Sequence, residues 1–159
     1  MKFRKQLWPL YLSDIFLSLS FYSPILTLFL QSKGLSFQDI GFLSIAIYAT
    51  SFLMEYPTGI FADKYGRKLS LLISVFLSFI SILIYILSAS YWVLFSGYIL
   101  IGLSWAFRSG AREALIYDTL KEKNLQKYNS KVLGEMDFIS SIMMISLIIG
   151  PFMYEYNAI

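Results

Sequence analysis

Four charged residues interrupt long apolar runs: Asp14, Glu55, Arg108 and Asp137. At 1.5 Å per helical residue, Asp14 lies roughly 13 Å from Lys5, near the middle of a ~30 Å hydrocarbon core. Glu55 lies roughly 24 Å along its run from Asp39, Arg108 roughly 25 Å from Tyr91, and Asp137 roughly 9 Å from Lys131. A charged carboxyl facing lipid at mid-depth costs about 2.5–3.5 kcal/mol. Such a group must face a wet cavity, find a cation or take up a proton. Asp14 is therefore a candidate for proton coupling or cation recognition. The structural alternative is a neutral carboxyl hydrogen-bonded to Tyr11 or Ser18. Tyr22, Tyr48 and Tyr98 are candidate cavity residues, whereas Trp8, Tyr91 and Trp92 fit interfacial belts.

Near one membrane face, Glu55, Asp63, Arg67, Arg108, Arg112 and Glu113 fall at comparable depth on three consecutive segments. Partly buried charges need partners. These six are expected to form an ion-pair network that must break if the helices part. The alternative is a set of separate surface pairs worth under about 1 kcal/mol each. No cysteine or histidine is present, which removes thiolate chemistry, disulfides, imidazole bases and the usual soft metal sites. No metal motif, nucleophile–base pair or nucleotide loop is evident, so neither an enzyme nor a cofactor is expected.

The elements that hold these residues follow from composition. Of 159 residues, 57% are hydrophobic and only 14% charged, against about 25% charged in soluble domains. The bilayer must be the solvent. Five segments approach the roughly 20 apolar residues that a span requires: 7–30, 39–62, 69–89, 91–111 and 132–154. The polar segment 117–130 is expected to be a surface link that continues as an amphipathic helix. The fold class is all-α membrane protein. All thirteen bases except Lys33 lie in the amino-terminal tail, the turn after the second span, or the end of the fourth span and the link that follows it. The positive-inside rule places these in the cytoplasm, with Lys33 outside. The small net charge of +3 gives no reason to invoke nucleic acid.

Within the spans, polar and small residues recur at helical spacing. Tyr11, Asp14, Ser18 and Tyr22 form one stripe, and Gly41, Ser44, Tyr48, Ser51 and Glu55 a second. Ser70, Ser74, Ser78, Ser81 and Tyr85 form a third. Gly102, Ala106, Gly110 and Ala114 form a run that lets helix backbones approach closely.

The turn Gly59-Ile60-Phe61-Ala62-Asp63-Lys64-Tyr65-Gly66-Arg67-Lys68-Leu69-Ser70-Leu71 resembles the signature loop of the major facilitator superfamily (MFS) of secondary transporters. That loop reads G-x-L-A-D-[RK]-x-G-[RK]-[RK]-x-x-L and joins the second and third helices. This chain departs only at Phe61. Residues 55–59 look like the lead-in of many bacterial members, and residues 109–118 resemble a segment of another bacterial branch. The resemblance implies five transmembrane helices of an MFS-type six-helix amino-terminal bundle. It assigns Gly59 and Gly66 as turn formers and Asp63, Arg67 and Lys68 to a latch that holds one face closed. It also implies a small-molecule transporter working by alternating access, coupled to an ion such as H+, with export as the first direction to test. The expected setting is a multi-pass protein of the cell membrane. Its further partners would be the lipid bilayer and the missing carboxyl-terminal helices of the same protein. Two family features are altered. Tyr98 stands where many proton-coupled members have arginine, and Tyr154 and Glu155 follow Gly150-Pro151 in place of the glycines of many exporters. The alternatives are a truncated or non-transporting assembly partner, or a metabolite or sugar symporter.

Overall fold

The computed structural model describes residues 22–143, together with Trp8, Tyr11, Leu12 and Ile15. These residues are helical apart from short turns. In chain order the helices are α1 (Tyr22–Ser32), α2 (Phe37–Tyr65), α3 (Arg67–Leu87), α4 (Tyr91–Glu122) and α5 (Asn129–Met143), with a 3₁₀ turn at Gln126–Tyr128 before α5. Among them α2, α3 and α4 are long and apolar enough to cross a membrane. The chain divides into two compact units, Leu30–Thr119 and the remainder.

Local signals set the helix ends. The backbone amides of Gly34 and Leu35 reach the carbonyls of Gln31 and Leu30, and Gly34 has φ +91°. This Schellman geometry stops α1 at a left-handed residue where glycine is favoured. Asn124 does the same after α4, at φ 55°, with amide bonds from Asn124 to Lys121 and from Leu125 to Leu120. Ser36 begins α2 with a capping box, its hydroxyl accepting from the Asp39 amide while Asp39 accepts from the Ser36 amide. Gly66, at φ +101°, closes α2 by donating to the Ala62 carbonyl and opens α3 directly.

In the Leu30–Thr119 unit, the expected serine stripe of α3 lies along α4. Ser70 donates to the Phe107 carbonyl (3.1 Å) and Ser81 to the Gly97 carbonyl (2.8 Å). Between them the Ser78 and Ser104 hydroxyls meet at 2.7 Å, and Ser104 reaches the Ser74 carbonyl at 2.8 Å. Ser70, Ser74, Ser81 and Ser104 are all buried. These bonds run α3 antiparallel to α4. Helix α2 meets α4 where Gly102 faces Ile47 and Thr50 and where Thr58 reaches across Pro57's turn to the Ala106 carbonyl at 3.0 Å. Pro57 lacks the amide that would close an ordinary helical bond, and the Thr58 hydroxyl lies near the Met54 and Glu55 carbonyls as well.

Helix α4 passes Ala111 and continues unbroken to Glu122. At 32 residues it is about 48 Å long, well beyond the ~30 Å core. The first part of the polar link 117–130 is thus the last turns of α4. Arg112, Glu113, Ala114, Leu115 and Lys121 are adequate helix formers with no proline among them, so no local signal stops the helix before Asn124. The structure describes span 132–154 only as far as Met143.

A β-carbon at Gly102 would lie 2.5 Å from the Ile47 carbonyl, whereas one at Gly110 would meet nothing within 4 Å. Gly102→Ala is therefore expected to cost about 1–3 kcal/mol by forcing α4 from α2. Gly110→Ala should be neutral or gain up to about 1 kcal/mol from helix propensity. Thermal unfolding in mild detergent would check the contrast.

Candidate functional site

The signature turn places Arg67 at the first residue of α3. A cation there is poorly placed with respect to the helix dipole, so it needs partners from elsewhere. Its guanidinium donates to the Ala114 carbonyl at 3.0 Å and to the Asp118 carboxylate, both on α4. The Asp63 carboxylate, one turn back on α2, lies 3.7 Å away. Arg67 is 29% exposed and Asp63 75% exposed, so the α4 contacts carry more of the load. One side chain thereby ties the carboxyl-terminal parts of α2 and α4 to the start of α3. Nearby Phe61 packs edge-on against Phe107 of α4, with ring centroids 5.4 Å apart. Its ring does this at the one position where the turn departs from the family pattern.

Asp118 falls outside the six residues of the expected ion-pair network and within the polar link 117–130. The signal was present, because Gly102, Ala106, Gly110, Ala114 and Asp118 are spaced by fours on one face of α4. A span that ends at Ala111 leaves Ala114 and Asp118 of that series beyond it.

The remaining candidates are dispersed. Lys68 and Glu113 are exposed, while Arg108 and Arg112 are partly buried and engaged in interactions of their own. Glu55 is exposed on α2. Gly59 lies inside α2 with open space at its α-carbon. Tyr98 is buried with its ring 5.0 Å from Tyr85, whereas Tyr48 is 66% exposed and meets Trp105 edge-on at 6.0 Å. Tyr22 begins α1. Asp14 lies outside the described residues. In the other unit, Tyr11 donates to the Glu135 carboxylate at 2.8 Å, which gives its hydroxyl a partner beyond the Asp14 stripe. At the opposite end of α3, the Lys33 ammonium donates to the Tyr85, Ile86 and Ser88 carbonyls at 2.8, 3.1 and 2.6 Å. A cation capping a helix carboxyl end satisfies carbonyls left without amides and complements the dipole.

A double-mutant cycle separates the two acids. Arg67→Gln and Asp118→Asn should show a coupling of about 0.5–1 kcal/mol, given their partial exposure. Arg67→Gln with Asp63→Asn should couple more weakly. Equal or inverted couplings, read from unfolding in detergent, would contradict this assignment.

Comparison with known proteins now adds to this geometry. The family model described as Major Facilitator Superfamily matches residues 12–158. Across 141 residues the chain is 26% identical to an uncharacterised MFS-type transporter, YxaM, of Bacillus subtilis (strain 168), covering 89% of this chain and 35% of that protein. It is 30% identical to Multidrug resistance protein 2 of the same organism, over 93% of this chain and 36% of the relative. It is 26% identical to Quinolone resistance protein NorA of Staphylococcus aureus (strain MRSA252), over 92% and 37%. The chain thus spans about a third of the length of these relatives. No solved structure matches it at a significant level. With a family model covering nearly its whole length, the chain belongs to the Major Facilitator Superfamily.

Proposed function

We propose that the whole protein is a secondary active transporter of a small molecule, rather than an enzyme, and that it works by alternating access. The observation that carries this reading is the family match across residues 12–158. The Arg67 clasp supports the gating part. It joins three helix ends through contacts that are individually weak and partly wet, so they can break and reform at modest cost. In alternating access one bundle rocks against the other around a central site. A clasp at the inner helix ends would favour the state closed on that side.

Ion-coupled export is the form of transport favoured here. Relatives are named for resistance to multiple drugs and to quinolones, which fits a drug-like or amphipathic solute. Asp14 is the proposed proton-coupling group. The charge asymmetry of the turns favours a cytoplasmic amino terminus and a cytoplasmic Arg67 clasp, and the chain's one-third share of its relatives' length fits a whole protein with further helices. The spans are taken at 7–30, 39–62, 69–89, 91–111 and 132–154.

Two measurements test this. First, these residues contain no cysteine, so single thiols are clean reporters of orientation once any cysteine contributed by sequence beyond this chain is removed. Lys33 is a poor amine target because its ammonium is held by three carbonyls. Gln38→Cys should react with an impermeant maleimide on intact cells, and Lys123→Cys only after permeabilisation; the reverse pattern would invert the layout. Second, the full-length protein in proteoliposomes should move a test solute in response to an imposed pH gradient. Asp14→Asn should abolish that response while leaving solute binding within a few-fold. Unchanged coupling would remove Asp14 from the mechanism.

A further inference from the structure

Helix α3 ends with backbone oxygens that need donors. The last four carbonyls of a helix have no amide partner within it. Here the Ser88 amide closes on the Ile84 carbonyl at 3.0 Å, and Ser88 itself is extended, at φ −112° and ψ 146°. The carbonyls of Tyr85, Ile86 and Ser88 all accept from one group, the Lys33 ammonium, at 2.8, 3.1 and 2.6 Å. An ammonium carries three N–H donors and no acceptor, so three oxygens match it in number.

Lys33 is presented by backbone that is itself held. Its amide is bonded to the Leu30 carbonyl, and the Gly34 and Leu35 amides follow in the Schellman turn. The capping box of Ser36 and Asp39 begins α2 directly after. Asp39, the nearest acid along the chain, accepts from the Ser36 amide and hydroxyl at 2.9 and 2.6 Å. Its carboxylate is thus engaged at the start of α2, and the Lys33 side chain crosses to the α3–α4 hairpin, 52 to 55 residues further on.

The oxygens that receive Lys33 belong to main chain. They are set by the Ser88–Ile84 bond and by the Ser90 amide on the Ser88 hydroxyl at 3.2 Å. The arrangement is therefore independent of the side chain that fills it. Backbone carbonyls gathered at one point can replace the hydration shell of a small cation, and the carboxyl end of a helix dipole adds to the attraction.

We propose that the carboxyl end of α3 is a binding seat for a small primary ammonium ion. Lys33 fills it from within the chain and so straps the α1–α2 link onto the α3–α4 hairpin. A bulky cation without N–H groups is a poor occupant, because it offers these oxygens charge but no donors. The seat would hold the link whatever solute the protein moves.

Chemical rescue tests this in the full-length protein in lipid nanodiscs. Lys33→Ala should lower the thermal unfolding midpoint by about 1–3 °C, and amide exchange should quicken at residues 33–36. Methylammonium chloride should restore most of both losses along a saturable curve. Tetramethylammonium chloride at equal ionic strength should not, since it lacks N–H donors. The parent should respond to neither salt, its seat being taken. Lys33→Met leaves an apolar stem in the way, so it should lose stability and be rescued less than Lys33→Ala. A Lys33→Ala protein as stable as the parent would overturn the proposal, as would a loss that methylammonium leaves unchanged. A variant that stays unfolded when prepared with methylammonium counts as unrescued. Equal rescue by both salts would mean charge screening without a seat. Equal stabilisation of the parent, or full rescue of Lys33→Met, would put the ion elsewhere and overturn the proposal as well.

Discussion

In hydrocarbon a polar group has no water to fall back on, and the Leu30–Thr119 unit is organised by that constraint. The hydroxyls of Ser70, Ser81 and Ser104 all donate to carbonyls across the α3–α4 contact. Each bond needs the two backbones close together. Gly97 permits that approach to α3, since a β-carbon there would fall 2.9 Å from the Tyr85 ring, and Gly102 does the same for α4 against α2. Small residues and hydroxyls are thus one device: the first brings the helices together and the second supplies directional bonds there.

A cation stands at each end of α3. Lys33 closes the carboxyl end of α3 and Arg67 stands at its start. The two cations face opposite electrostatic problems. Lys33 complements the helix dipole and needs only backbone oxygens. Arg67 opposes it and draws on carboxylates from α2 and α4. The favourable end is a cap. The unfavourable end is a clasp made of side chains, and side chains can let go. That difference gives a physical reason why a moving gate would be built at the Arg67 end.

Much of this architecture could be read from residue order. The apolar runs locate α2, α3 and α4, the two-glycine charged turn locates the α2–α3 junction, and the serine spacing identifies the α3 contact face. What escaped was information that depends on a neighbour. Asp118 looked like part of a solvated link because apolarity, unlike helix propensity, ends near Ala111. Lys33 served only as a marker of sidedness, since its role depends on where the carbonyl end of α3 lies. Tyr48 and Tyr98 looked alike along the chain, yet one is exposed and the other packs on Tyr85. Helical periodicity gives the face a residue occupies, but not what stands opposite.

The contact that joins α3 to α4 runs along the serine face. It is tested most directly by replacing Ser78 and Ser104 with cysteine in a chain that has none of its own. Their hydroxyl oxygens are 2.7 Å apart, so two sulfurs at those sites have only a short way to close to the ~2.05 Å of a disulfide. Mild oxidation in the membrane, followed by alkylation and mass spectrometry, should show near-complete bridging between positions 78 and 104, and little between 76 and 104, since Phe76 points outward. Two free thiols at 78 and 104, or equal bridging from position 76, would mean that these helices do not pack as described.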